Sequence, residues 1–309
     1  MIYDILIIGG GPAGISAAIY AKRAGREVAI IEKALPGGQL GLIGQIENYA
    51  GFSKVDGNEL AYKFYQHALN LNIPFIMQEA QEFDLNGIIK YVKCNKDTFK
   101  AKAIILALGS HSRELNIEGE ERLKGRGVSY CALCDGNFFK GKDVAVVGSG
   151  DSAFSDGVYL SNICRKVYIL TKDKLKLHNY AEDEFDNKSN VIMLKNAISQ
   201  KIEGDDKVEK LVYVQDGKTS FLDVDAIFVA IGRRPDTAAL KGKIEMNESG
   251  FIKTDDLMRT NIDGVFACGD LRTDSIRQIA TAVGDGAVAG TEASKYVIRL
   301  NHAHKDMFA

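Results

Sequence analysis

A strand, a glycine turn and a helix occur twice in this chain, and the repetition limits what it can fold into. The first copy reads Asp4-Ile-Leu-Ile-Ile-Gly-Gly-Gly-Pro-Ala-Gly14, the second Asp143-Val-Ala-Val-Val-Gly-Ser-Gly-Asp-Ser-Ala153. The runs Ile5–Ile8 and Val144–Val147 are apolar without alternation, the pattern of parallel strands buried on both faces. A second strand follows in each copy, Val28–Ile31 and Val167–Leu170. Each copy later closes on a strand and a glycine, Ile104–Gly109 and Ile227–Gly232. The pattern predicts an α/β architecture of two doubly wound, Rossmann-like dinucleotide-binding domains. Arg233-Arg-Pro235 reads as a crossover, Gly264–Asp270 as one more strand and turn, and Ser275 to about Leu300 as an Ala-rich helix. The second domain, 114–241, is therefore expected to be inserted into the first, 1–113 plus 242–309. Residues Asn301–Ala309 read as a loose tail.

Composition excludes several classes. A net charge of −2 gives no electrostatic reason to expect nucleic acid. No apolar run approaches the roughly 18 residues of a membrane span, and Ile5–Ile8 is too short for a signal peptide. The five cysteines, an odd number without regular spacing, argue against a secreted disulfide scaffold and for a reducing cytoplasm.

Gly9-x-Gly11-x-x-Gly14 follows a strand and opens a helix, the context a dinucleotide fingerprint requires. The first glycine allows the tight turn, the second lets backbone approach a pyrophosphate, and the third lets helix pack on strand. The helix N-terminus offers free N–H groups and partial positive charge to the phosphates. Glu32, at the end of the second strand, is the acid that would accept from ribose hydroxyls.

Cys131 and Cys134 stand at a spacing that lets two thiols close a small, reducible ring. A second such pair would suggest zinc, and none exists, so redox work is favoured over metal. Asp135 follows directly, and a carboxyl beside a thiolate can carry the proton that dithiol chemistry releases and consumes. Cys94, Cys164 and Cys268 read as small apolar core residues.

Taken in order, Gly37-Gly-Gln-Leu40, Glu47-Asn-Tyr-Ala-Gly-Phe52, Cys131-Ala-Leu-Cys-Asp-Gly136, Gly148-x-Gly-Asp-Ser-Ala153, Gly269-Asp270, Arg277-Gln278 and Gly284-Asp-Gly286 resemble the low-molecular-weight thioredoxin reductases along the whole chain. The resemblance implies FAD in the first domain, held by Gly9, Gly11, Gly14, Glu32, Gln39, Asn48, Asp270, Arg277 and Gln278. It also implies a homodimer, a substrate disulfide of the thioredoxin type, Asp135 as the acid, and Cys134 as the thiol nearer the flavin.

The second glycine motif lacks what should follow it. Counting from Gly148 as Glu32 counts from Gly9 lands on Thr171, which is no carboxylate. Relatives using NADPH carry His-Arg-Arg-x-x-x-Arg here, whereas this chain reads Thr171-Lys-Asp-Lys-Leu-Lys-Leu177. Lys172 matches an arginine by charge alone, Asp173 would repel a 2′-phosphate, and Leu177 replaces the last arginine. The run Glu182-Asp-Glu-Phe-Asp186 adds four acids nearby. Either Lys172, Lys174 and Lys176 bind NADPH in an altered way, or the second domain is the structural relic of a nucleotide domain. In the latter respect the chain looks more like the ferredoxin-dependent flavin thioredoxin reductases. A non-catalytic flavin redox sensor is a third reading, against which Cys131, Cys134 and Asp135 speak. His302, His304 and Phe308 suggest that the tail touches the flavin or its rim.

Overall fold

The structure, a computed structural model, describes residues 1–172, 185 and 188–305. Asp173, Lys174, Lys176, Leu177, the acids Glu182, Asp183, Glu184 and Asp186, and Phe308 lie outside the described residues. The chain opens with β1 (Ile2–Ile8), α1 (Pro12–Arg23), β2 (Val28–Glu32), α2 (Gly57–Asn70), β3 (Phe75–Met77), β4 (Ala80–Asp84), β5 (Lys90–Cys94) and β6 (Thr98–Leu106). It continues through β7 (Val128–Ser129), α3 (Ala132–Asp135), β8 (Asp143–Val147), α4 (Asp151–Ser161), β9 (Lys166–Thr171) and β10 (Val191–Lys195). Then come β11 (Ala197–Glu203), β12 (Lys210–Gln215), β13 (Lys218–Asp223), β14 (Ala226–Val229), β15 (Val265–Ala267) and α5 (Ile279–Ala303). These elements form two compact units, Met1–His111 with Arg234–Ala309, and Ser112–Arg233.

Among the described residues, the first unit is built on a seven-stranded sheet in the order β3-β2-β1-β6-β5-β4, with β15 also on β6. Along the edge away from β1, the long β6 serves two neighbours: its first half pairs antiparallel with β5 and its last three residues pair parallel with β15. Ile5, Leu6, Ile7 and Ile8 are at most 1 % exposed, because packing covers both faces of β1. In the second unit β7-β14-β8-β9-β10 form a parallel sheet, and β11-β12-β13 a separate antiparallel one. No helix among the described residues is long and apolar enough to cross a membrane.

The Ala- and Gly-rich composition of α5 has a local reason. Gly286 and Gly290 sit one turn apart and face Ala13 and Ala17 of α1. A Cβ at Gly286 would lie 2.1 Å from the Ala13 carbonyl oxygen, and one at Gly290 2.3 Å from that of Ala17. Ser16 donates its hydroxyl to the Val283 carbonyl at 2.7 Å across the same seam. Both obstacles are backbone, so neither can rotate away. Gly290→Val is expected to destabilise the first unit by about 3 kcal/mol or more through overpacking. A thermal scan followed by flavin fluorescence checks this, and an unchanged midpoint would show that the two helices have room to separate.

The helix also runs further than expected. Residues 301–303 belong to α5 rather than to a loose tail. Val297 is fully buried, and the His304 N–H donates to the Leu300 carbonyl at 3.0 Å, so the packed inner face carries the last turn with it.

Candidate active site

In the first unit the fingerprint glycines do three different jobs. Gly9 takes φ +111°, and a Cβ there would stand 2.3 Å from the Ala107 carbonyl oxygen. At Gly14 a Cβ would meet the Gly9 carbonyl at 1.9 Å, so this position is needed for packing the helix on its own turn. Gly11 differs: the nearest atom to its Cβ position is the Gly38 Cα at 4.0 Å, which leaves an open cradle above the start of α1. The turn carrying Gln39 closes one side of it, since the Gly37 N–H donates to the Gly10 carbonyl at 2.8 Å. Gln39 itself donates to the Ser110 carbonyl. On another side lies the turn Gly269-Asp270, with Gly269 packed against Ala13.

Glu32 ends β2 and is buried. Its carboxylate accepts from the Gly10 N–H at 2.6 Å and from the Ala34 N–H at 2.8 Å, so the acid is fixed beside the glycine turn. Asn48, Arg277 and Gln278 form a second group at the start of α5. Asn48 donates to the Gln278 side chain at 3.0 Å, and the Arg277 guanidinium lies 4.6 Å from the Phe251 ring centre. The Arg277 Nε is buried without a hydrogen-bond partner among the described residues. An open backbone cradle, a fixed acid and a buried cationic donor suit the diphosphate and ribose of a dinucleotide, so these residues fit FAD.

Sequence reasoning missed the device that joins the two groups. Asp285 of α5 accepts from the Gly269 N–H at 3.1 Å and from Arg272 Nε at 2.9 Å, and Arg272 also donates to Thr254. This partly buried ion pair holds the Asp270 turn onto α5. Gly284-Asp-Gly286 stood out in the sequence, but nothing in it pointed to Arg272.

In the second unit Cys131 and Cys134 form a disulfide, with Cα atoms 5.3 Å apart. The pair sits at the start of the short helix α3, where the Cys134 N–H donates to Cys131 Sγ at 3.2 Å. That contact favours negative charge on the Cys131 sulfur when the bridge opens. The preceding residue, Tyr130, donates to buried Glu120 at 2.9 Å, and Glu120 also accepts from the Leu115 and Asn116 N–H groups. The strand leading into the cysteines is thereby pinned. Asp135 accepts from the Ser129 hydroxyl at 2.6 Å, a partner with no sequence signature. Burial pushes the Asp135 carboxyl above the usual carboxylate range, and the Ser129 bond opposes that rise.

The remaining cysteines are buried thiols. Burial, chiefly, pushes Cys94 and Cys164 up to about 11, and Cys268 higher still. Such groups hold their protons at neutral pH and make poor nucleophiles.

In the second glycine motif, a Cβ at Gly148 would meet the Ala230 carbonyl at 2.2 Å, whereas Gly150 faces open space. Thr171 ends β9 fully buried, its Oγ1 without a hydrogen-bond partner among the described residues. On α4, half-buried Asp156 is pushed up to about 6 by burial. Its folded-state pKa exceeds the unfolded one, so it lowers stability above about pH 6, and the penalty fades as pH falls towards the ordinary carboxylate value. Asp156→Asn is accordingly expected to stabilise the protein by about 2 kcal/mol at neutral pH and by only about 0.5 kcal/mol at about pH 4. Denaturation midpoints at the two pH values check this; a gain that grows in acid would contradict it.

Comparisons with known proteins agree with this chemistry. The pattern of the family described as pyridine nucleotide-disulphide oxidoreductase matches residues 3–286. A thioredoxin reductase of Listeria innocua is 42 % identical over 306 residues, covering 98 % of this chain and 96 % of that protein. Among solved structures, thioredoxin reductase from Streptococcus pyogenes is similar at a TM-score of 0.90 and 39 % identity, over 96 % of this chain and 99 % of that one. A ferredoxin-flavin thioredoxin reductase from Clostridium acetobutylicum is similar at 0.54 and 34 % identity, over 96 % and 98 %. On a match of this length and identity, the chain belongs to the pyridine nucleotide-disulphide oxidoreductase family, among its FAD-binding, low-molecular-weight thioredoxin reductases.

Proposed function

We propose that this enzyme reduces the disulfide of thioredoxin with electrons taken from reduced ferredoxin rather than from NADPH. The observation that carries the donor assignment is Thr171. A nucleotide site of this kind reads the ribose with a side chain at the end of the second strand. Here that position holds a short, uncharged residue that is fully buried. The sequence after it supplies Lys172 and Asp173 where a 2′-phosphate would need arginines. The likeness to the Clostridium acetobutylicum protein supports the same reading.

We assign FAD to the unit Met1–His111 with Arg234–Ala309, and the redox pair to the inserted unit Ser112–Arg233, which keeps the nucleotide fold as a scaffold. Gly9, Gly11 and Gly14 would admit the pyrophosphate, and Glu32 the ribose. Gln39, Asn48, Asp270, Arg277 and Gln278 would line the rest of the site. When bound, FAD supplies a group able to accept electrons singly from an iron–sulfur donor and pass them on as a pair. Cys131 and Cys134 then act as the dithiol, with Asp135 carrying the proton. The reading includes a homodimer and a reducing, cytoplasmic setting, in keeping with the buried single thiols.

A second reading has one observation in its favour. Gly150 leaves the same open space above α4 that Gly11 leaves above α1, so a pyrophosphate could still be cradled there. This would make the enzyme an NADPH-dependent reductase with an altered 2′-phosphate site. Anaerobic stopped-flow reduction of the flavin by NADPH, NADH and reduced ferredoxin, side by side, tests the two. Reduction by ferredoxin alone at catalytic rates is the expected result; equally fast reduction by micromolar NADPH would restore the second reading.

A further inference from the structure

We infer that Ser129 is a positioning residue for thiol–disulfide exchange, its hydroxyl fixing the Asp135 carboxyl and the backbone of Cys131 together. The inference rests on the reading of Asp135 as proton carrier. Ser129 is the last residue of β7 and is 5 % exposed. In the parallel ladder it stands opposite Phe228, which is fully buried, so its backbone is anchored in the sheet. Its Oγ donates to Asp135 Oδ2 at 2.6 Å and accepts from the Cys131 N–H at 3.1 Å. A hydroxyl has one proton to give and two lone pairs to receive, so both bonds can exist at once. One side chain thus ties the proton carrier to the start of the helix that holds the sulfurs.

The surroundings leave Ser129 as the group that tunes Asp135. α3 packs against the turn Gly136–Phe139, which has no titratable side chain, and against α4, which carries Asp151, Asp156 and Tyr159. Among the described residues, the carboxyl is raised by burial and lowered by the Ser129 bond.

In the exchange, an enzyme thiolate attacks a thioredoxin sulfur; a mixed disulfide forms as the thioredoxin S–S bond breaks. The second enzyme thiol then closes the Cys131–Cys134 bond and frees the thioredoxin dithiol. Two electrons pass to thioredoxin, and the protons of the enzyme dithiol follow by way of Asp135. Asp135 must be ionised to receive a proton, so the rate falls on the acid side. Without the Ser129 hydroxyl, burial acts unopposed and the acid limb moves up by about one pH unit, the worth of a hydrogen bond to a charged acceptor.

Ser129→Thr and Ser129→Val provide the test, since they share a shape and differ in the hydroxyl. Each enzyme is reduced anaerobically with stoichiometric dithionite and mixed with oxidised thioredoxin in a single turnover across the acid and neutral range. This keeps the question of the natural donor out of the measurement. The expected result is a near-native limb for Ser129→Thr and a limb raised by about one unit for Ser129→Val, with half-saturation by thioredoxin unchanged. Coincident profiles for the two would overturn the inference. Asp135→Asn separates the two levels of the argument. If it removes the limb while the Thr and Val variants coincide, only the role of Ser129 falls. If it leaves the native limb in place, the reading of Asp135 fails and the inference with it.

Discussion

Cys131→Ser and Cys134→Ser are each expected to keep FAD bound while lowering thioredoxin reduction by roughly a thousandfold or more, with the double variant no worse than either. The cause is that the two sulfurs act as one unit. Closing the enzyme S–S bond requires both, so half a pair can form a mixed disulfide but cannot resolve it and turn over. The rest of the molecule offers no substitute. Cys94 and Cys164 are buried with thiols pushed up to about 11, and Cys268 is fully buried. Flavin binding should survive because the cysteines belong to the inserted unit and the glycine cradle to the other. Flavin absorbance and thioredoxin turnover, measured on the same preparations, check both halves. Substantial turnover in either single variant would remove the pair from the electron path.

The second large effect concerns the donor. Each charge-assisted hydrogen bond to a phosphate is worth roughly 1.5–3 kcal/mol. Losing two or three of them weakens NADPH binding by at least about a hundredfold. Lys172 and its neighbouring lysines can recover part of this at low salt, where screening is weak. Flavin reduction by NADPH is therefore expected to be slow at physiological ionic strength and to improve as salt is removed. Lys172→Arg, Asp173→Arg and Leu177→Arg together should raise NADPH reduction by at least about tenfold, since they restore forked donors and remove a repelling carboxylate. Thr171 is best left alone, because it is fully buried and a larger side chain there would strain the end of β9. If the triple variant gains nothing, the obstacle is not the 2′-phosphate site.

What could be read from the sequence was whatever local chemistry dictates. The strands Ile5–Ile8 and Val144–Val147 announce themselves because burial on both faces leaves no room for polar residues. Gly9 and Gly14 are fixed by backbone atoms within 2.3 Å of where a Cβ would sit, so no other residue serves. Cys131, Cys134 and Asp135 are adjacent in the chain, and their spacing is itself the chemical signal. The remainder depends on contacts between distant residues. Ser129 is an ordinary serine until the chain turns Asp135 back onto it. The Arg272–Asp285 pair looks like two surface charges until α5 folds over the Gly269 turn. The length of α5 escaped for a related reason, since the polar look of 301–303 hid a helix face held by Val297.

The seam between α1 and α5 bears on how the molecule is made. Ala13 and Ala17 meet partners at Gly286 and Gly290, and β15 joins β6 from the same late stretch. On the ribosome, α1 and β1 emerge early but cannot be covered until nearly the whole chain has been translated. The inserted unit, Ser112–Arg233, is continuous and owes nothing to those late residues for its own sheet. Domains generally fold as units during synthesis, so the cysteine-bearing unit can be complete while the outer one still waits for α5. For that interval the face of α1 at Ala13 and Ala17 lacks its partner, so closing the outer core waits on the docking of α5.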